Sequence, residues 1–185
     1  TRPQDYEPVT ISLDMAPFEK LVYDLDQEDN LVFSSRPAWY RVTPFEGGLV
    51  GFMTVRDAAT GAVAAVEGNP LAGNVANLPY TPSNENVASR ITTINTSDQV
   101  IHANWVGFDN QGRIRGFKGL RCEPHTRYVA TTEELFGAAA SQISWTRVYT
   151  QTFELAAFVE VSERGGQDLA MLGGQVSDFG RGELA

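Results

Sequence analysis

One stretch of this sequence occurs twice. Trp39-Tyr40-Arg41-Val42, followed by Leu49, Phe52, Val55, Ala64 and Gly68, returns as Trp145-Thr146-Arg147-Val148, followed by Leu155, Phe158, Val161, Ala170 and Gly174. The spacing between matched residues is constant, from 39 to 145 and from 52 to 158, and no gap is needed. Such self-similarity constrains the architecture before any local reading does, because each copy must be one structural unit. It assigns Trp39, Arg41, Phe52, Trp145, Arg147 and Phe158 to the scaffold as repeat anchors.

The segments between the turns alternate in the strand period. Leu49–Arg56 and Ala62–Val66 flank a turn ending in Gly61, and Val100–Phe108 and Arg113–Arg121 flank Asp109-Asn110-Gln111-Gly112. Gly at the end of such a turn supplies a left-handed backbone position. Further strands are expected at Arg90–Ile94, Tyr128–Thr131, Ile143–Tyr149, Leu155–Val161 and Gln167–Leu172. Ala16-Pro17-Phe18-Glu19 reads as a turn, and Thr132 to Gly137 as one helical turn capped by Thr132. Many short strands at regular spacing predict an all-β fold, an antiparallel sandwich.

The repeat extends upstream with a one-residue adjustment before the tryptophan, since Leu13, Pro17 and Val22 match Leu120, Pro124 and Val129. Arg90–Ile94 and Val100–Phe108 have no counterpart in the first copy. The expected organisation is therefore one incomplete and one complete copy. Residues 1–70 form an incomplete β unit, and 71–86 form a linker rich in Pro and Asn. Residues 87–174 form a complete sandwich unit, and 175–185 a loose tail. A half-unit must share a sheet with its neighbour, receive strands from another chain, or be a piece of something longer, and an unpaired edge is a template for strand pairing.

Across 185 residues, 23 Asp and Glu outweigh 14 Lys and Arg, for a net charge of −9. That balance disfavours a sequence-independent grip on nucleic acid, which needs clustered cations, and disfavours docking on anionic lipid. A single cysteine, Cys122, closes no intrachain disulfide. No apolar run is long enough to cross a membrane as a helix. The opening Thr1-Arg2-Pro3 suits a mature product after cleavage or a chain boundary.

Ile94-Asn95-Thr96-Ser97-Asp98, the hairpin Val106 to Gly112, a Leu-x-x-x-Pro turn, Glu134-Leu135-Phe136-Gly137 and Trp145-x-Arg147-Val148 together resemble Ig-like or fibronectin-like β-sandwich repeats of secreted bacterial surface proteins. The resemblance spans most of Val87–Gly174. It implies an exported, non-catalytic module and carries no functional residue across.

Candidate chemistry is sparse. Trp105 has no repeat partner and is the candidate for an exposed, ligand-binding aromatic, although alternation sets it with Ala103 and Gly107 on a possible core face. Indoles stack on sugar rings, so glycans are candidate ligands there. Arg41 and Arg147 are expected to point outward and pair with acids across strands. Asp24, Asp26, Glu28 and Asp29 cluster oxygen ligands of the kind calcium takes, so calcium is the candidate cofactor; the spacing is not that of an EF-hand. Cys122 and His125 stand too far short of a zinc ligand set, with His102 the only other histidine. Glu133 and Glu134 read as the acids of a first helical turn. No nucleophile elbow, phosphate loop or dinucleotide fingerprint is present.

The sequence thus predicts an exported structural or interaction module of the cell surface, a stalk or a filament. It is expected to act in assembly or adhesion through protein partners or self-association at sheet edges. A carbohydrate-binding module is the alternative, and a hydrolase whose acids converge only in the fold is a third.

Overall fold

A computed structural model describes residues 12, 14–16, 19–22, 42–43, 52–56, 61–67, 73–151, 155–164 and 169–177. The chain divides into two units, Thr1–Arg36 and Pro37–Ala185. In the first, Glu19 N donates to Ala16 O at 3.0 Å and Ala16 N donates to Glu19 Oε2 at 2.6 Å, closing the expected turn. The acidic cluster Asp24, Asp26, Glu28 and Asp29, and the anchors Trp39 and Arg41, lie outside the described residues.

The second unit is an antiparallel β structure, as the strand periodicity predicts. Its described strands are β1 (Phe52–Arg56), β2 (Val63–Glu67), β3 (Val75–Leu78), β4 (Val87–Asn95), β5 (Ile101–Phe108), β6 (Ile114–Cys122), β7 (Arg127–Thr131), β8 (Trp145–Tyr149), β9 (Leu155–Glu163), β10 (Leu169–Gly173) and β11 (Gln175–Ser177). One helical turn, α1 (Thr132–Phe136), and a 3₁₀ turn (Gly137–Gln142) separate β7 from β8. A four-stranded sheet runs β10-β9-β4-β7, and a five-stranded sheet runs β11-β3-β8-β5-β6. Successive strands from β3 onward pass back and forth between these sheets, apart from the hairpins β5–β6 and β9–β10.

Alternation decides what lies between the sheets. Ile91 on β4 and Leu155, Ala157 and Val159 on β9 face Ala103 and Trp105 on β5, Leu78 on β3 and Val148 on β8, all in one buried cluster. Trp105 is wholly buried at its centre. Its Nε1 donates to Thr93 Oγ1 across the sandwich at 3.2 Å, and its ring lies 5.3 Å from that of Tyr128. A buried indole N–H needs such a partner. Asn95 ties the ends of the sandwich together: its Nδ2 donates to the carbonyls of Gln99 and Glu123 at 2.7 and 2.9 Å, and its Oδ1 accepts from Ser97 N at 3.0 Å.

α1 closes one side. Thr131 Oγ1 accepts from Glu134 N at 3.1 Å, while Glu134 Oε2 accepts from Thr131 N at 2.7 Å, a complete capping box. The cap is thus Thr131, one residue before the expected Thr132, because Thr132 is buried and directs its hydroxyl toward the Thr81 and Ser89 carbonyls. Gly137 ends the helix at φ 56°, as expected. Phe136 then packs on the backbone of Gly116, where a Cβ would lie 2.6 Å from its ring.

Two boundaries differ from the sequence reading. Residues 71–86, expected as a linker, contain β3, which is hydrogen-bonded between β11 and β8 inside the five-stranded sheet. The expected tail supplies β11. Both strands owe their structure to partners distant in sequence, which outweigh the local turn formers.

The hairpins β1–β2 and β9–β10 pair alike. Phe52 faces Glu67 and Val55 faces Ala64, and at the repeat spacing Phe158 faces Gly173 and Val161 faces Ala170. Their settings differ. β9 continues into β4, whereas β1 and β2 form a two-stranded sheet of their own. β2 runs close to β10, with a Val66 methyl 3.8 Å from where a Cβ on Gly173 would stand.

Candidate functional site

The most distinctive surface of the described residues is the outward side of β8, β5 and β6. Since Thr146 and Val148 are buried between the sheets, Trp145, Arg147 and Tyr149 take the opposite side of β8. The same parity sends Asn104, Val106 and Phe108 outward on β5, and Arg115, Phe117 and Arg121 outward on β6. Register then assembles a surface: Phe108 stands opposite Trp145, while Val106 stands opposite Arg147 on one flank and Phe117 on the other.

Phe108 and Trp145 stack with centroids 4.0 Å apart and 7° between planes. The Arg147 guanidinium lies 5.8 and 5.7 Å from the two ring centroids, within cation–π reach, and its Nε donates to Asn77 Oδ1 at 2.8 Å. Phe117 is 60 % exposed and Ile114 66 % exposed. β6 is the terminal strand of the five-stranded sheet, so among the described residues it has one strand partner.

These positions correct the sequence reading in two respects. Trp105 is no exposed aromatic. It fills the interior, as the alternation with Ala103 already allowed. Trp145 and Phe158, read as scaffold anchors, do not fill the interior: Trp145 lies on the outward side of β8, and Phe158 alternates with the buried Ala157 and Val159 on β9. Arg147 does point outward as expected, and its Nε donates to Asn77 Oδ1. Of Phe52 only the backbone, in β1, is described.

The charge of the β5–β6 hairpin opposes that of the chain. Ile101–Cys122 holds Arg113, Arg115, Lys118 and Arg121 against a single acid, Asp109, in a chain of net charge −9. Asp109 is fully engaged. Its Oδ1 accepts from the backbone N–H groups of Gln111 and Arg113 at 2.9 Å each, and its Oδ2 accepts from Arg113 Nε at 2.8 Å and Arg115 Nε at 2.9 Å. Desolvation pushes its pKa up, but the Arg113 and Gln111 N–H groups and both guanidiniums overcome this and hold the carboxyl well below the usual range. Two arginines share this carboxylate, so the trio keeps a net positive charge. Arg121 pairs with Glu123 at 3.2 Å, with both side chains largely exposed. Sequence reasoning missed this surface. A sliding count of charge marks its cations between Arg113 and Arg121, but not the aromatic residues that the register sets beside them.

Three further titratable groups among the described residues stand in separate surroundings. Cys122 faces the core, where burial pushes its thiol pKa up. His125 is exposed, with Nε2 2.7 Å from Asp98 Oδ1. Glu133 bonds to Ser83 and Arg164, tying α1 to the loop before β4 and to the end of β9. A cleft of about 190 Å³ at the sandwich end, lined by Tyr80, Val87 and Leu169 among others, holds Glu163 as its one carboxylate. That volume is below the range usual for small-molecule pockets. Among the described residues no group of three His, Cys, Asp or Glu is placed to hold a metal ion, and no helix is long and apolar enough to cross a membrane.

No protein-family model, curated protein or solved structure matches this chain.

Proposed function

We propose that this chain is a non-catalytic interaction module of an exported assembly, a component of a cell surface, stalk or filament, that engages protein partners at the edge of its five-stranded sheet. One observation carries the reading. β6 is a nine-residue terminal strand with exposed apolar side chains, Ile114 and Phe117, set among cations. Natural sheets blunt their edges with short strands, prolines, coverings and charges; β6 carries charges, but its length and exposed apolar groups still suit it to strand addition by a partner of opposite charge. The resemblance to β-sandwich repeats of secreted surface proteins supports the exported setting.

A second reading, carbohydrate binding, draws on the aromatic group Phe108, Trp145, Phe117 and Tyr149 on the same outward side. It is weaker in one respect: one face of the Trp145 ring is already stacked on Phe108. Peptide and glycan arrays probed in parallel with the labelled chain separate the two. The first reading expects retention on extended peptides. Retention on glycans, lost in Trp145→Ala, favours the second. Retention on neither array overturns both.

A further inference from the structure

Building on the strand-addition reading, we infer that the partner of β6 is an acidic extended segment, with carboxylates spaced to meet Arg115 and Arg121 and an apolar side chain between them to cover Phe117.

The pleat of β6 sets the spacing. Arg115, Phe117, Gly119 and Arg121 alternate on one side of β6, all exposed, whereas Gly116, Lys118, Leu120 and Cys122 turn the other way. An added strand places every second side chain beside this row. Arg115 and Arg121 are six residues apart, about 20 Å at the rise of a β-strand. A partner matching both therefore carries acids at positions i and i+6. The residues at i+2 and i+4 come beside Phe117 and Gly119. Phe117 calls for an apolar neighbour, since cross-strand pairs of this kind are the unit of sheet stabilisation.

Charge selects among partners. β6 carries Arg115, Lys118 and Arg121 and no acid. A second copy pairing through its own β6 sets three cations against three, and like charges opposite one another destabilise a pairing. The same cations favour an acidic strand. The acids already present do not cancel this bias. Asp109 is shared by Arg113 and Arg115, and the Arg121–Glu123 contact is an exposed pair of the kind worth little, readily exchanged for a partner carboxylate.

The test uses a labelled peptide in which aspartates stand six positions apart, valines occupy the two positions between them on the same side, and threonines fill the rest. Binding to the full chain is followed by fluorescence anisotropy. The expected result is saturable binding that weakens at least tenfold between low salt and about 0.5 M salt, where screening is nearly complete beyond a few ångströms. Arg121→Glu and Phe117→Ser, both at exposed positions, each weaken it at least tenfold with an unchanged melting temperature. Methylating the peptide amides in two alternate sets separates edge addition from surface adsorption: one set abolishes binding and the other leaves it intact. Equal binding of a peptide with lysines in place of aspartates overturns the inference, as do indifference to Arg121→Glu, indifference to both methylated sets, or no binding at all. Binding of neutral peptides on the arrays together with any of these outcomes leaves the interaction module standing and removes only its acidic specificity.

Discussion

Trp105 and Trp145 belong to neighbouring strands of one sheet, yet they face opposite ways. Trp105 is wholly buried, bonded to Thr93 across the sandwich and tilted against Tyr128. Trp145 is half-buried on the outward side, stacked on Phe108 beside Arg147. The difference is one of parity. In a two-layer fold the period of two sends one set of side chains into the core and frees the other set for contact. The inner side of β5 and β8 stabilises the sandwich, and the outer side with the β6 edge presents an aromatic, cationic surface.

Truncation separates the two most sharply. Trp105→Ala removes the largest fully buried side chain among the described residues and is expected to cost about 3–5 kcal/mol in urea unfolding, as large-to-small changes of aromatic core residues do. Trp145→Ala gives up a half-buried stack worth about 0.5–1.5 kcal/mol beyond area burial and is expected to cost less than half as much. Equal losses break the comparison. Next in size is Thr93→Val, which keeps the shape but leaves the Trp105 N–H without its partner, at a cost of about 1–3 kcal/mol. Adding Trp105→Phe to Thr93→Val removes the orphaned donor, so the double variant should cost less than the sum of the singles. Strict additivity indicates that the bond contributes nothing.

The smallest effect concerns the turn that joins the two sides of the β5–β6 hairpin. The Asp109 pKa lies below its unfolded value of about 3.9. The stabilisation linked to its ionisation is therefore complete above about pH 5 and is lost progressively as pH falls through the unfolded value toward the folded pKa. The stability difference between the wild-type chain and Asp109→Asn is expected to be constant from pH 7 to about 5 and to shrink below 4. A difference independent of pH over the whole range contradicts the ionic role of Asp109.

Much of this organisation is legible in the sequence, and the losses have physical causes. The strands from β4 to β10 follow from runs such as Arg90-Ile91-Thr92-Thr93-Ile94 bounded by turn residues, and Gly112 takes the left-handed conformation that the Asp109-Asn110-Gln111-Gly112 turn requires, at φ 77°. β3 is not legible, because Val75-Ala76-Asn77-Leu78 is four residues among Gly, Asn and Pro whose pairing with β8 lies some seventy positions away. The parity of β8 is hidden for another reason. Its inward residues are Thr146 and Val148, and a buried Thr146, satisfied by Thr81 Oγ1 at 2.8 Å, does not look like a core residue beside Trp145. The registers of β1–β2 and β9–β10 match at the spacing of the repeated residues, but that spacing says nothing of which side each residue faces. The outward surface is readable only after parity and register are known, since its residues come from three strands.

Amide hydrogen exchange along β6 tests the account most directly. If this strand is an open edge whose other side is held by β5, the N–H groups of Ile114–Cys122 exchange in alternation: those directed at β5 are slow, and those directed away are fast until an acidic strand is added, when they slow in turn. Uniform protection along β6 in the free chain, or an unaltered pattern in the presence of the bound acidic peptide, contradicts it.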